Sequence, residues 1–114
     1  MITEQTTTVK EITVQELKTL FDTKKDFQLI DVREQFEHDI GNIGGKLIPL
    51  GKINFHVSEI EKDKLVIIYC RSGRRSVDAV KLLEEATGYT KLFNLKGGIL
   101  DWAAEIDETV STDL

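Results

Sequence analysis

"KLVIIYCRSGRRSVDAVKLL", residues 64–83, runs from an unbroken apolar stretch through a polar loop into a helix-like pattern. Leu65 to Cys70 is apolar on both faces, as expected of a strand in the middle of a parallel sheet covered on both sides. After the loop, Val77, Val80 and Leu83, with the neighbouring Leu82 and Ala86, form an apolar stripe, and Gly88 is a natural helix stop. One strand feeding one helix through a short loop is the unit of an α/β domain, and the rest of the chain repeats it.

Upstream, Thr13 and Glu16 form a capping-box pattern. Val14, Leu17, Leu20 and Phe21 then follow the spacing of a buried helix face, and a short strand through Glu11–Ile12 precedes them. "DFQLIDV" reads as a buried strand from about Gln28 to Val32. "REQFEHDI" has helical character and stops at Gly41, and "KLIPL" is a second strand with Pro49 near its end. "GKINFHVSEIEKDK" allows one or two short helical turns. "YTKLFNL" supplies the last strand, and "KGGILDWAAEIDE" a last helix with Ile99, Trp102, Ala103 and Ile106 on one side. Strands alternating with helices predict an α/β domain with a mainly parallel sheet.

At 114 residues the chain suits one domain. The expected boundaries are a tail at 1–8, the domain at 9–107 and a second tail at 108–114. No run of apolar residues is long enough for a transmembrane helix, and "MITEQTTTVK" lacks the basic start and apolar core of a signal peptide. A formal net charge of -5 argues against general nucleic-acid binding. A single cysteine excludes an intrachain disulfide and a cysteine-rich zinc site, and points to a reducing cytoplasm. His38 and His56 have no ligand-spaced partners, so no metal is expected. No oligomerisation seam stands out, which leaves a monomer as the default.

That one cysteine lies in "CRSGRRS", residues 70–76, beside three of the chain's four arginines. Cys70 falls at the C-terminal end of its strand, where sites gather in open α/β sheets. The amides of the loop and of the following helix start can converge on a negative charge, and Gly73 permits a turn with positive φ. Arg71, Arg74 and Arg75 add positive charge, so the setting favours a thiolate near neutral pH. A lone cysteine ending an apolar strand is commonly just a small buried hydrophobe. The glycine and arginines argue otherwise, because a core position gains nothing from them.

Spacing separates two chemistries. Arg75 follows Cys70 as Cys-x4-Arg, whereas the phosphatase signature Cys-x5-Arg needs an arginine at the place held by Ser76. The shorter loop makes a tighter cradle, better suited to a thiolate carrying one extra sulfur than to a tetrahedral phosphate.

"CRSGRRS" resembles the active-site loop of single-domain rhodaneses, the thiosulfate sulfurtransferases. "LIDVREQFEHDIGNI" at 29–43 is similar to that family's LIDVRE-x-x-E-(Y/F/H)-x-x-GHI segment, and "NLKGGILDW" at 94–102 to its late (N/Y)-L-x-GG-x-x-x-W motif. Within the family, "NIGGKLIPLGKI" and "NLKGGILDWAAEID" look most like the rhodanese domain of MoeB/ThiF-type adenylyltransferase/sulfurtransferases. The chain departs from the common GHIPGAINIPL: Asn42 stands for the histidine, Gly44 for the proline, and one residue is missing, which bears on substrate choice.

The resemblance implies a three-layer fold with a central, mainly parallel sheet of about five strands flanked by helices. It implies Cys70 as the nucleophile that forms a covalent persulfide, with no other cofactor. Arg71, Ser72, Gly73, Arg74 and Arg75 would bind the substrate through their amides and charge. Ser76, Asp31 and Arg33 would support the site. For Asp31 and Arg33 a structural role is favoured, Asp31 satisfying loop N–H groups and Arg33 pairing with a carboxylate such as Glu37. The donor would be thiosulfate, and the acceptor cyanide, a thiol or a ubiquitin-like carrier protein. Rival readings are a relay domain loaded by a cysteine desulfurase, a silent binding module and, last, a phosphatase.

Overall fold

A computed structural model describes residues 8–112. The 1–7 part of the expected N-terminal tail and the last two residues lie outside that range. In chain order the elements are β1 (Glu11–Ile12), α1 (Val14–Asp22), β2 (Phe27–Asp31), α2 (Gln35–Ile40), β3 (Lys46–Leu47), two 3₁₀ turns (Leu50–Phe55 and Val57–Glu59), β4 (Leu65–Tyr69), α3 (Arg74–Thr87), β5 (Leu92–Leu95) and α4 (Gly98–Glu105).

All five strands are parallel, in the order β1-β5-β4-β2-β3, which puts β4 at the centre as its all-apolar sequence predicts. Ile67 lies between Leu29 of β2 and Phe93 of β5, so β4 has a neighbour on each side. Strand alternation divides its side chains between two cores. Val66, Ile68 and Cys70 face one, closed by Ala79, Val80 and Leu83 of α3 and by Ile53 of the first 3₁₀ turn. Ile67 and Tyr69 face the other, closed by Val14 and Leu17 of α1 and by Ile99 and Trp102 of α4. The pleat therefore aims the Cys70 thiol at α3.

The capping box of α1 forms as predicted. The Thr13 hydroxyl accepts from Glu16 N at 3.1 Å, while Thr13 N–H donates to Glu16 Oε1 at 2.8 Å. Such a cap contributes about 1 kcal/mol. Phe21, at 38 % exposure, packs edge-on against Phe27 and Trp102 at the rim of the second core. The α3 stripe differs from its sequence reading: Ala79 is buried, and Leu82 is 37 % exposed. The buried line runs 76, 79, 80, 83, and Leu82 is rotated off it towards solvent.

β3 is shorter than "KLIPL", with Pro49 beyond its end. Ile48 N–H to Asp31 O and Leu50 N–H to Val32 O continue the pairing without a regular strand. At the C-terminus the domain extends past 107. Thr109 N–H and hydroxyl donate to Asp107 Oδ1, Val110 packs on the second core, and Ser111 lies against Gly41. The described part of 108–114 is thus part of the body rather than a tail. Among the described residues no helix is long and apolar enough to cross a membrane.

Candidate active site

Cys70 follows directly on β4 and is 1 % exposed. The loop turns at Gly73, whose φ of 97° is left-handed as expected, and α3 begins at Arg74. Three donors meet the sulfur. Gly73 N–H lies 3.1 Å from Sγ, Ser76 N–H 3.4 Å and the Ser76 hydroxyl 3.3 Å. The last two come from the first turn of α3, whose unpaired amides and positive end favour a negative sulfur.

The loop's carbonyls are pulled the opposite way. Cys70 O accepts from Ile99 N–H and Arg71 O from Leu100 N–H, each at 3.0 Å. These donors are the opening amides of α4, so the "GG" before them has a definite task. Gly98 sits at φ 59°, and a Cβ there would lie 2.5 Å from both the Cys70 and the Arg71 carbonyl oxygens. The bare backbone lets α4 approach the loop closely enough to hold its carbonyls.

The three loop arginines have separate roles. Arg75 is bound bidentately to Glu37, NH1 to Oε1 at 2.7 Å and NH2 to Oε2 at 2.8 Å. The Arg75 guanidinium holds the Glu37 carboxyl below its usual range. Arg75 is itself raised, chiefly by its bond to Glu37. Arg75 therefore ties the loop to α2, with two of its guanidinium N–H donors engaged by Glu37. Arg74 and Ser72 are exposed; Arg71 is partly buried, and its Nε has no hydrogen-bond partner among the described residues. Arg71 and Arg74 are the cations left to meet an anion.

Asp31 accepts from a loop N–H as expected, and Arg33 pairs with a carboxylate, though not with Glu37. Arg33 pairs with Asp31 rather than Glu37: Nε to Oδ1 at 3.0 Å and NH2 to Oδ2 at 2.8 Å. Arg33 N–H also donates to Asp31 Oδ1, and His38 Nδ1 lies 2.8 Å from Oδ2. The arginine side chain folds back towards the end of β2, onto the carboxylate two residues earlier, and reaches Gly41 O at 2.7 Å. Its guanidinium lies 5.6 Å from the Tyr69 ring centroid. That leaves Glu37, in the first turn of α2, to face Arg75. The Tyr69 phenol donates to Gly44 O at 2.8 Å, and burial pushes its ionisation well above the usual tyrosine range.

One group at the site went unread in the sequence. Asn94 of β5, 1 % exposed, accepts from the Ser76 hydroxyl and donates to Glu11 Oε2 at 2.7 Å. A lone asparagine in the apolar run "LFNL" was the available signal, since a buried amide needs partners.

Residues 13–105 match the family model of the rhodanese-like domain. A sulfurtransferase of Allochromatium vinosum is 41 % identical over 96 residues, covering 83 % of this chain and 89 % of the relative. The probable adenylyltransferase/sulfurtransferase MoeZ of Mycobacterium tuberculosis is 36 % identical over 98 residues, 83 % of this chain. The chain spans only 25 % of that relative's length. Among solved structures, a rhodanese-like domain protein of Staphylococcus aureus superposes with a TM-score of 0.77 at 33 % identity, covering 92 % of this chain and 99 % of the other.

Proposed function

The chain belongs to the rhodanese-like domain family, and from that premise we propose that it is a sulfurtransferase working through a persulfide on Cys70. The observation that carries this reading is the convergence of Gly73 N–H, Ser76 N–H and the Ser76 hydroxyl on one buried sulfur. Those donors are fixed before any reaction begins, so stabilising an anion there costs no reorganisation.

The donor in this proposal is thiosulfate, drawn in by Arg71 and Arg74. The Cys70 thiolate attacks the outer sulfur, the S–S bond of thiosulfate breaks, and sulfite leaves with the bonding pair. Cys70 then carries the sulfur as Sγ–S⁻. In the second half a nucleophilic acceptor such as cyanide or a thiol attacks that outer sulfur. The Sγ–S bond breaks and the thiolate returns. Cys70 is the only cysteine in the chain, so the acceptor comes from outside it. Arg71, Ser72, Gly73, Arg74 and Arg75 form the substrate loop, with Arg75 acting through its charge and its tie to Glu37. The working compartment in this reading is the cytoplasm.

The test is intact mass after incubation with thiosulfate. The parent protein gains one sulfur atom, cyanide removes it, and Cys70→Ser gains nothing while staying folded. No gain in the parent, or the same gain in the serine variant, overturns the proposal. The resemblance to the rhodanese domain of MoeB/ThiF-type enzymes suggests one second reading, in which a persulfide donor loads Cys70 and a carrier protein receives the sulfur. Slow loading by thiosulfate beside fast loading by a cysteine desulfurase selects it.

A further inference from the structure

The Ser76 hydroxyl has one proton and two acceptors within reach, Cys70 Sγ at 3.3 Å and Asn94 Oδ1. A carbonyl oxygen can only accept, so it competes with the sulfur for that proton. The orientation of Asn94 is set from its other side. Glu11 lies directly across from Asn94 in the β1–β5 ladder, and its Oε2 accepts from Asn94 Nδ2 at 2.7 Å. An ionised carboxylate cannot donate, so the amide nitrogen must face Glu11 and the oxygen must face Ser76. Ser76 and Asn94 are both buried, 0 % and 1 % exposed, so water does not take over either role.

We propose that Asn94, oriented by Glu11, is a positioning residue that divides the Ser76 proton between itself and Cys70. With a bare thiolate at Cys70, the amide oxygen draws part of the donor away. The sulfur is then held less firmly than Gly73 and Ser76 alone would hold it, and stays more nucleophilic. With a persulfide in place, which rests on the function proposed above, the charge lies mainly on the outer sulfur. Sγ then accepts weakly, and the proton passes to Asn94. The hydroxyl has a good partner in both states, and the loop need not move between them.

Asn94→Leu removes the acceptor and leaves every charge near the sulfur in place: Arg71 in the loop, Arg74 and Arg75 on α3, Glu37 on α2, Asp31 at the end of β2 with Arg33 and His38 paired to it, and Glu11 on β1. The full Ser76 bond then goes to the thiolate. The probe is iodoacetamide alkylation of Cys70 followed across pH. A hydrogen bond gained by a charged group shifts the pH of half-maximal alkylation down by about one unit. The plateau rate falls about threefold, because a better-stabilised thiolate is a poorer nucleophile. In a Ser76→Ala background, Asn94→Leu changes neither reading.

A merely structural Asn94 gives a different result: the leucine shifts alkylation equally with and without Ser76, or not at all. Either outcome overturns the proposal. Asn94→Ala repeats the comparison should leucine prevent folding. The assay needs no sulfur donor, so it reads Asn94 even if thiosulfate fails to load Cys70.

Discussion

Gly97 and Gly98 offer a paired experiment, because alanine meets similar backbone strain at both and different neighbours. Their φ values are 79° and 59°, so an L side chain costs about 1–2 kcal/mol at either position. At Gly97 the new Cβ would lie 1.8 Å from Asp101 Oδ2, the far end of a side chain that can rotate away. At Gly98 it would lie 2.5 Å from two backbone oxygens, those of Cys70 and Arg71. That is about 1 Å inside contact distance, and neither oxygen moves without the loop. Relief separates α4 from the loop and breaks Ile99 N–H to Cys70 O and Leu100 N–H to Arg71 O. Two such bonds are worth about 2 kcal/mol. Gly97→Ala is then expected to cost about 1–2 kcal/mol and Gly98→Ala about 3–4. Urea unfolding followed by the fluorescence of Trp102, the only tryptophan, measures both. In the folded fraction, Gly98→Ala should also load sulfur at least tenfold more slowly, one decade being about 1.4 kcal/mol, because the amides that face Sγ are displaced with the carbonyls. Equal costs for the two variants, or full loading by Gly98→Ala, would show that α4 does not hold the loop.

Two further substitutions probe the ion pairs. Asp31→Asn leaves the Arg33 guanidinium, 2 % exposed, without its counter-charge, and should cost about 3–5 kcal/mol in the same unfolding experiment; a loss below about 1 kcal/mol would contradict the pairing described. Glu37→Gln removes a carboxylate that Arg75 makes more acidic in the folded protein than in the unfolded chain. The stability it contributes is present above the unfolded carboxylate value of about 4.3 and is lost as pH falls through the lower folded value. Arg75 is 36 % exposed, so solvent screening limits the loss at pH 7 to about 1–2 kcal/mol. Stability curves of the two proteins should converge as pH falls below that range, and parallel curves down to acid would rule the linkage out.

Much of this domain follows from local chemistry along the chain. Leu65–Tyr69 is apolar at every position, so it had to be covered on both faces and therefore central. Thr13 and Glu16 cap α1 by contacts three residues apart, and Gly88 ends α3 in a left-handed turn. The alternation of such units predicted the parallel sheet, and "CRSGRRS" put a thiol at the end of its middle strand. These features depend on neighbours within a few residues, where side-chain type and spacing are sufficient.

The pairings around the sulfur depend on distant segments brought together by the sheet. Arg75 meets Glu37 across 38 residues, and Asn94 meets Glu11 across 83. Composition offers several carboxylates for each arginine, and packing selects among them. The pleat of β4 turns Cys70 towards α3, the β1–β5 register sets Glu11 opposite Asn94, and the close approach of α4 at Gly98 turns the loop carbonyls outward. A cysteine among arginines was legible from its neighbours. The donors that meet its sulfur, and the acceptor that competes for one of them, exist only once β5, α3 and α4 are packed around β4.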